Sequence, residues 1–423
     1  MENQQEKAVL HAKIVNNTLI KAGFVVNSDK TDWVPSQKLT WLGFTVDTQS
    51  QLCYVTPQRI LRIQSTIAHL IANPITTARK LAAFTGSLIS TKFVLGDIVS
   101  LQTRSLYQVI TQRKHWDNKI HLENYESAQE EILFWERNLS ALNLKGFSTA
   151  ISTSHLHCYS DASDKALGVV FNDLSCHRNL SSAEQVMSSA WRELKAIQFG
   201  LQSFAAVFQG KVIIWYTDNF ACTAIITKGS PKEPLQRLAL SVYHLAKLHN
   251  IDLTVKWIPR EKNVTADKLS KYLDVDDWET TDSFFHLLSA KWGPFTIDRF
   301  ASQANKKIPR FNSKFFSPGS EGINAFAQPW DGEHNFLVPP VRDIIGVIRK
   351  ITVEHVHGVL VVPLWTSSAF WPLLLEGGRF KSFITHSKIF KEGKQWLKPG
   401  NSGLSLLGAE NFTSSLIALK IES

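Results

Sequence analysis

Apolar residues recur every three or four positions through Ile60, Ile63, Ile67 and Leu70, which predicts a helix face after Pro57. A helical pattern then continues to about Ser140 and closes on E-N-Y-E-S-A-Q-E-E-I-L-F-W-E-R-N-L. Upstream, Lys7 to Ala22 reads as a helix ended by Gly23, with F-V-V-N and W-L-G-F-T-V-D as two short strands. Residues 145–154 form a polar linker candidate. From 155 the rhythm changes to β-β-(β)-α-β-α-α-β-α. H-L-H-C-Y-S-D and A-L-G-V-V-F predict a hairpin, and Ser188 to Phe208 a long helix with Leu194, Ile197, Leu201 and Phe204 on one stripe. K-V-I-I-W-Y-T-D is a continuous apolar strand suited to a buried sheet centre. I-D-L-T-V-K-W-I is a further strand, and a helix starts at Asn263. Strands alternating with helices predict an α/β sheet with right-handed crossovers. A third unit, 284–423, contains a strand–helix–strand run of βαβ size from H-N-F-L-V-P-P to H-G-V-L-V-V-P-L-W.

At 423 residues and 44% hydrophobic content, the chain is long enough for two or three domains with real cores. No apolar run reaches the ~18 residues that a membrane helix needs. M-E-N-Q-Q-E-K lacks the layout of a signal peptide, so a cytosolic or nuclear protein is expected. Cys53, Cys158, Cys176 and Cys222 form no C-x-x-C pair and are expected to be reduced and structural. A formal charge of +9 favours polyanion partners, because phosphate contacts release counterions.

Four acidic residues carry the candidate chemistry. Asp161 and Asp218 each end a strand, where open α/β sheets place their ligand sites. On neighbouring strands they would lie about 5 Å apart. Two anions that close need a cation between them. Glu193 sits in the first turns of the long helix, and Asp267 follows Asn263, a natural N-cap, near the positive end of a helix dipole. Oxygen ligands suit Mg²⁺ or Mn²⁺, and two such ions about 3.5–4 Å apart would activate a water and stabilise a leaving oxygen.

Y-S-D-A-S-D-K-A-L-G-V-V-F, W-R-E-L-K-A-I, W-Y-T-D-N-F-A and W-I-P-R-E-K-N-V-T-A-D-K-L-S together resemble the type I ribonuclease H domain of reverse transcriptases over residues 155–274. The last of these is similar to DIRS-like retrotransposons, which pair such a polymerase with a tyrosine recombinase. The resemblance implies a ribonuclease H-like mixed sheet flanked by helices, and hydrolysis of the RNA strand of an RNA–DNA hybrid. It also implies two metal ions on Asp161, Glu193, Asp218 and Asp267. Many members carry a histidine before the last acidic helix; this chain has Ile258-Pro259-Arg260-Glu261 there. Arg260 would then meet phosphate, and Glu261 serve as an outer acid. Ser163, Asn219 and Asn263 are further candidates for contacting the nucleic acid, with helix capping as the alternative for Asn219.

Residues 1–145 resemble the palm-end, thumb and connection of a reverse transcriptase. The family's Y-x-D-D pair belongs upstream of Met1, so no polymerase activity is expected from this chain alone. Asp276 and Asp277 read as a solvated linker. The basic residues near 58–63 and 104–114 fit either a duplex grip or an ordinary solvated helix face. D-R-F-A-S-Q-A-N, F-L-V-P-P-V and V-V-P-L-W-T-S-S-A-F-W resemble the C-terminal module of DIRS-like polyproteins, itself likened to adenine methyltransferases. Methyl transfer to adenine needs Asp or Asn before Pro-Pro and an aromatic after it, but Val338 and Val341 stand there. A structural or docking role is expected for this module, with Trp330, Trp365 and Trp371 in its core. A non-catalytic nucleic-acid-binding remnant of the polyprotein is the alternative function. A transposase or integrase on the same sheet ranks third, because their glutamate comes last rather than second.

Overall fold

The computed structural model describes residues 4–146, 155–273, 278–400 and 405–423. Asp276, Asp277 and most of the 145–154 segment therefore lie outside the described residues. Two compact units form, and residues 1–151 make up most of the first.

In that first unit, α1 (Gln5–Lys21) precedes a four-stranded antiparallel sheet of β1 (Lys38–Trp41), β2 (Phe44–Asp47), β3 (Leu52–Val55) and β4 (Lys145–Gly146). Three expectations fail here. F-V-V-N is irregular rather than a strand. W-L-G-F-T-V-D is a hairpin, because Leu42 and Gly43 both take positive φ (48° and 82°) and turn the chain back. Lys145 and Gly146 pair with β3 and are not linker. α2 (Pro57–Ala72) buries Ile60, Ile63, Ile67 and Leu70, the face set by its sequence spacing. α3 (Ala78–Ile89) and α4 (Glu126–Leu142) are the other long helices. Two of the basic residues have local partners: Arg59 donates to the Leu42 carbonyl (3.3 Å), and Arg113 lies 3.7 Å from the Trp116 ring centroid.

The second unit opens with a mixed five-stranded α/β layer. β5 (Leu156–Ala162), β6 (Ala166–Phe171) and β7 (Leu174–Asn179) form an antiparallel meander. β8 (Val212–Thr217) adds parallel to β5, and β9 (Asp252–Trp257) parallel to β8, giving the order β9-β8-β5-β6-β7. α5 (Ser189–Ser203), α6 (Phe220–Lys228) and α7 (Glu233–Leu248) make the crossovers. The long helix expected to reach Phe208 breaks at Phe204, and a short turn, Ala205–Phe208, follows. Leu194, Ile197 and Leu201 of α5 and Leu235, Leu238 and Val242 of α7 pack on Cys158, Val169, Ile213 and Trp215 of the sheet. α8 (Val264–Ser270) lies across β5 and β6. Gly168 of β6 permits that approach, since a Cβ there would sit 2.6 Å from the Ser270 nitrogen. All four cysteines are buried and free.

A second α/β layer follows. β10 (Ile297–Asp298), β11 (His334–Leu337) and β12 (His357–Pro363) are parallel, with α9 (Asp282–Trp292) ahead of them and α10 (Ile344–Val353) crossing from β11 to β12. β13 (Ile384–Phe390) and β14 (Leu416–Glu422) complete the sheet antiparallel, in the order β10-β11-β12-β14-β13. One face buries α10 through Val347, Ile348 and Ile351; the other buries α9 through Phe284, Leu288 and Trp292. Trp330 is fully buried, while Trp365 and Trp371 are only half-buried at the margin of the core. No helix among the described residues is long and apolar enough to cross a membrane.

Candidate metal centre

The register of β8 on β5 pairs Tyr216 with Tyr159. Two residues on, the same register brings Asp218 beside Asp161. α5 then presents Glu193 over the sheet end, where Glu193 accepts from the Ala162 backbone N–H (3.3 Å) and the Thr217 hydroxyl (3.4 Å). Asp161, Glu193 and Asp218 offer one carboxylate oxygen each, all within 4.8 Å of one another. Asp161 and Glu193 are each 4% exposed.

Such a cluster is unfavourable in isolation. Burial pushes Glu193 well above the usual carboxylate range, and the charges of Asp161 and Asp218 add to it. Asp161 is also raised, first by burial and then by Asp218 and Asp267, against a lowering hydrogen bond from Ser270. A hard divalent cation relieves both the burial and the repulsion, so the donor set fits Mg²⁺ or Mn²⁺.

Asp267 is placed differently. It comes near enough to raise Asp161, yet it is not among the three that converge. Arg260 donates to its Oδ1 through Nε (3.2 Å) and Nη2 (2.8 Å), and Lys271 to its Oδ2 (2.6 Å). The hydrogen bonds from Lys271 and Arg260 hold Asp267 below the usual carboxylate range. Arg260 thus stands in the site, and Glu261 is exposed beside it.

The remaining candidates are mostly engaged elsewhere. Asn263 occupies the N-cap position of α8 but makes no capping bond. It is 1% exposed and donates to the Ser160 carbonyl (2.9 Å), so it is a tie between α8 and β5, and burial removes it as a direct nucleic-acid contact. The Ser163 N–H donates to the Ala166 carbonyl (3.0 Å), and its hydroxyl donates to the Ser270 carbonyl (2.6 Å). Its backbone is spent on the turn into β6 rather than presented to a ribose. Asn219 accepts from the Ala221 N–H (3.1 Å), which is the capping alternative. Ser270, Thr217 and Lys271 were not foreseen. The i, i+3 and i, i+4 spacings from Asp267 signalled Ser270 and Lys271 in the sequence. Nothing local signalled Thr217.

In the C-terminal layer, the corresponding strand ends are closed. Val338 is 8% exposed and packs with Trp278, whose indole N–H donates to the Pro339 carbonyl (3.1 Å). Asp298 at the end of β10 is buried and accepts from the Lys307 N–H (3.1 Å). Arg299 is buried with its donors satisfied by Asn335, Asn312 and the Pro329 carbonyl. Val338 and Val341 flank Pro339 and Pro340, where methyl transfer to adenine calls for an Asp or Asn before the prolines and an aromatic after them.

Comparison with known proteins agrees with this two-layer reading. Residues 156–273 match the family described as reverse transcriptase-like, and residues 268–412 the family described as DNA N-6-adenine-methyltransferase (Dam). No curated protein matches the chain. Among solved structures, a foamy viral protease-reverse transcriptase in complex with double-stranded DNA is 18% identical over 61% of this chain, with a TM-score of 0.30. The chain spans 44% of that protein. The foamy viral enzyme in complex with an RNA/DNA hybrid is 17% identical over 66% of this chain and 38% of its own, with a TM-score of 0.30. The ribonuclease H1 of the halophilic archaeon Halobacterium salinarum is 18% identical over 27% of this chain and 94% of its own, with a TM-score of 0.23. The central layer thus matches a family described as reverse transcriptase-like, and the C-terminal layer one described as DNA N-6-adenine-methyltransferase.

Proposed function

We propose that the chain hydrolyses the RNA strand of RNA–DNA hybrids, as the ribonuclease part of a DIRS-like retroelement polyprotein acting in the cytosol or nucleus. The observation that carries this reading is the convergence of Asp161, Glu193 and Asp218 within 4.8 Å at the ends of two adjacent parallel strands. Those three residues would hold one Mg²⁺ or Mn²⁺, and Asp267 together with Asp161 a second. When bound, such ions polarise phosphate and lower the pKa of water. The protein's own residues hold the acids in place: Thr217 and the Ala162 N–H hold Glu193, and Ser270 holds Asp161. Arg260, 65% exposed at its side chain, is positioned to exchange Asp267 for a substrate phosphate. Asn219 keeps its amide N–H groups for the same strand. A labelled hybrid incubated with Mg²⁺ tests this: the chain should cut it, and Asp218→Asn should not. Equal cleavage by the variant sinks the assignment.

A second reading is a binder that does not cut. It is favoured by the neutralisation of Asp267 between Arg260 and Lys271. It predicts a salt-dependent shift of the hybrid with no cleavage at any Mg²⁺ concentration.

A further inference from the structure

Tyr272 follows α8 by two residues and meets both α/β layers. Its ring packs edge-on against His177 of β7 (5.5 Å) and Phe315 (5.5 Å). His177 donates to its backbone carbonyl (3.0 Å). Lys314 donates to its hydroxyl and lies over its ring (4.5 Å), and Arg342 donates to the same hydroxyl (3.0 Å). Next in the chain, Phe316 enters the core of the ribonuclease layer: its ring stacks on Phe204 (4.8 Å), and its N–H donates to the Ser175 carbonyl of β7 (2.8 Å). Lys314, Phe315 and Phe316 therefore form a finger of the C-terminal layer that holds the sheet edge and the end of α8 at once.

α8 is a poor helix to leave unsupported. It has seven residues and no capping side chain, well below the length at which a helix is stable alone. It nevertheless carries Asp267 and Ser270, the latter bonded to Asp161. The layer that supports it has closed its own strand ends.

We propose that Tyr272 is a positioning residue through which the C-terminal layer clamps α8, so that a methyltransferase-like module serves the ribonuclease site as its support. The functional half of this proposal rests on the ribonuclease reading above; the clamp itself does not.

The test uses the full chain and two readouts. Hydrogen exchange is measured for the amides of residues 264–270, and kcat and KM are measured on a labelled hybrid with Mg²⁺. Tyr272→Ala should speed exchange in α8 about tenfold, leave the β5, β6 and β8 amides unchanged, and lower kcat about tenfold with KM nearly constant, as for a misplaced catalytic group. Tyr272→Phe, which keeps the ring, should recover most of kcat. Arg342→Ala, on the surface, should reproduce part of the exchange effect without any risk to the core. Unchanged α8 exchange in both Tyr272→Ala and Arg342→Ala overturns the clamp. Faster exchange with unchanged kcat overturns the positioning role. If the parent chain cuts no hybrid, the ribonuclease reading fails, and the exchange comparison still decides the clamp.

Discussion

The two α/β layers of the second unit share a plan and differ in what their strand ends hold. In the central layer, the buried Asp161 of β5 and the half-buried Asp218 after β8 converge with the buried Glu193 of α5, and burial together with their mutual repulsion raises Glu193 and Asp161 above the usual carboxylate range. In the C-terminal layer, β10 and β11 end in groups that have protein partners and face no second acid: Asp298 accepts from the Lys307 N–H although burial still raises it to about 6, Arg299 donates to three acceptors, and the Pro339 carbonyl accepts from Trp278. A buried charge left short of partners costs free energy, and a chain retains it where a ligand supplies the missing charge. A charge with every partner supplied is structure. The fold is therefore a weak guide to activity in either layer, and the balance of partners at the strand ends is the better one.

The sharpest way to break this comparison is to remove one acid from each layer. Asp161→Asn should lower hybrid cleavage by at least about 10²–10³-fold, the scale of losing charge stabilisation at a reacting centre. Asp298→Asn should leave cleavage near the parent rate. Equal losses would show that the layers do not divide the labour as described.

A second comparison is pH. Asp161 and Glu193 hold their protons more tightly folded than unfolded. Their contribution is full below the ordinary carboxylate range and is lost as pH rises through the shifted values. The metal-free melting temperature of the second unit should thus fall as pH rises above the ordinary carboxylate range, and Glu193→Gln should flatten part of that fall. Mg²⁺ should restore more at the higher pH, because its binding requires the ionised acids.

Arg260→Ala sharpens the role of Asp267. Removing an exposed partner should loosen the carboxylate and change Mn²⁺ affinity upward by about two- to fivefold, the worth of a surface ion pair. KM for the hybrid should rise if Arg260 meets phosphate. The smallest effect expected lies in the first unit. Glu131 accepts from the Ser105 and Leu106 N–H groups, yet burial outweighs those bonds and pushes it to about 7. Glu131→Gln should remove a loss of stability that the parent shows between pH 4.5 and about 7, read as urea midpoints of that unit.

Much of the central layer was legible in the sequence because its signals are local and strong. The apolar run of β8, the stripe of α5 and an acid at each strand end survive without tertiary information. Failures occurred where tertiary partners decide. Asn263 had a capping sequence but is drawn to the Ser160 carbonyl of β5. Asp267 looked like an equal fourth ligand, and its pairing with Arg260 depends on a loop seven residues upstream folding back. Leu42 gave no turn signal, since leucine seldom takes positive φ; Gly43 beside it did. The finger at Phe315 and Phe316 was invisible, because nothing local distinguishes an aromatic pair that enters another layer's core.

The most direct measurement is a calorimetric titration of the full, metal-free chain with Mn²⁺, beside Asp161→Asn, with no nucleic acid present. The parent should bind the ion with release of protons, and the variant should lose that binding while keeping its folded circular dichroism spectrum. Equal binding by both chains, or none by either, would contradict a cation centre at Asp161, Glu193 and Asp218.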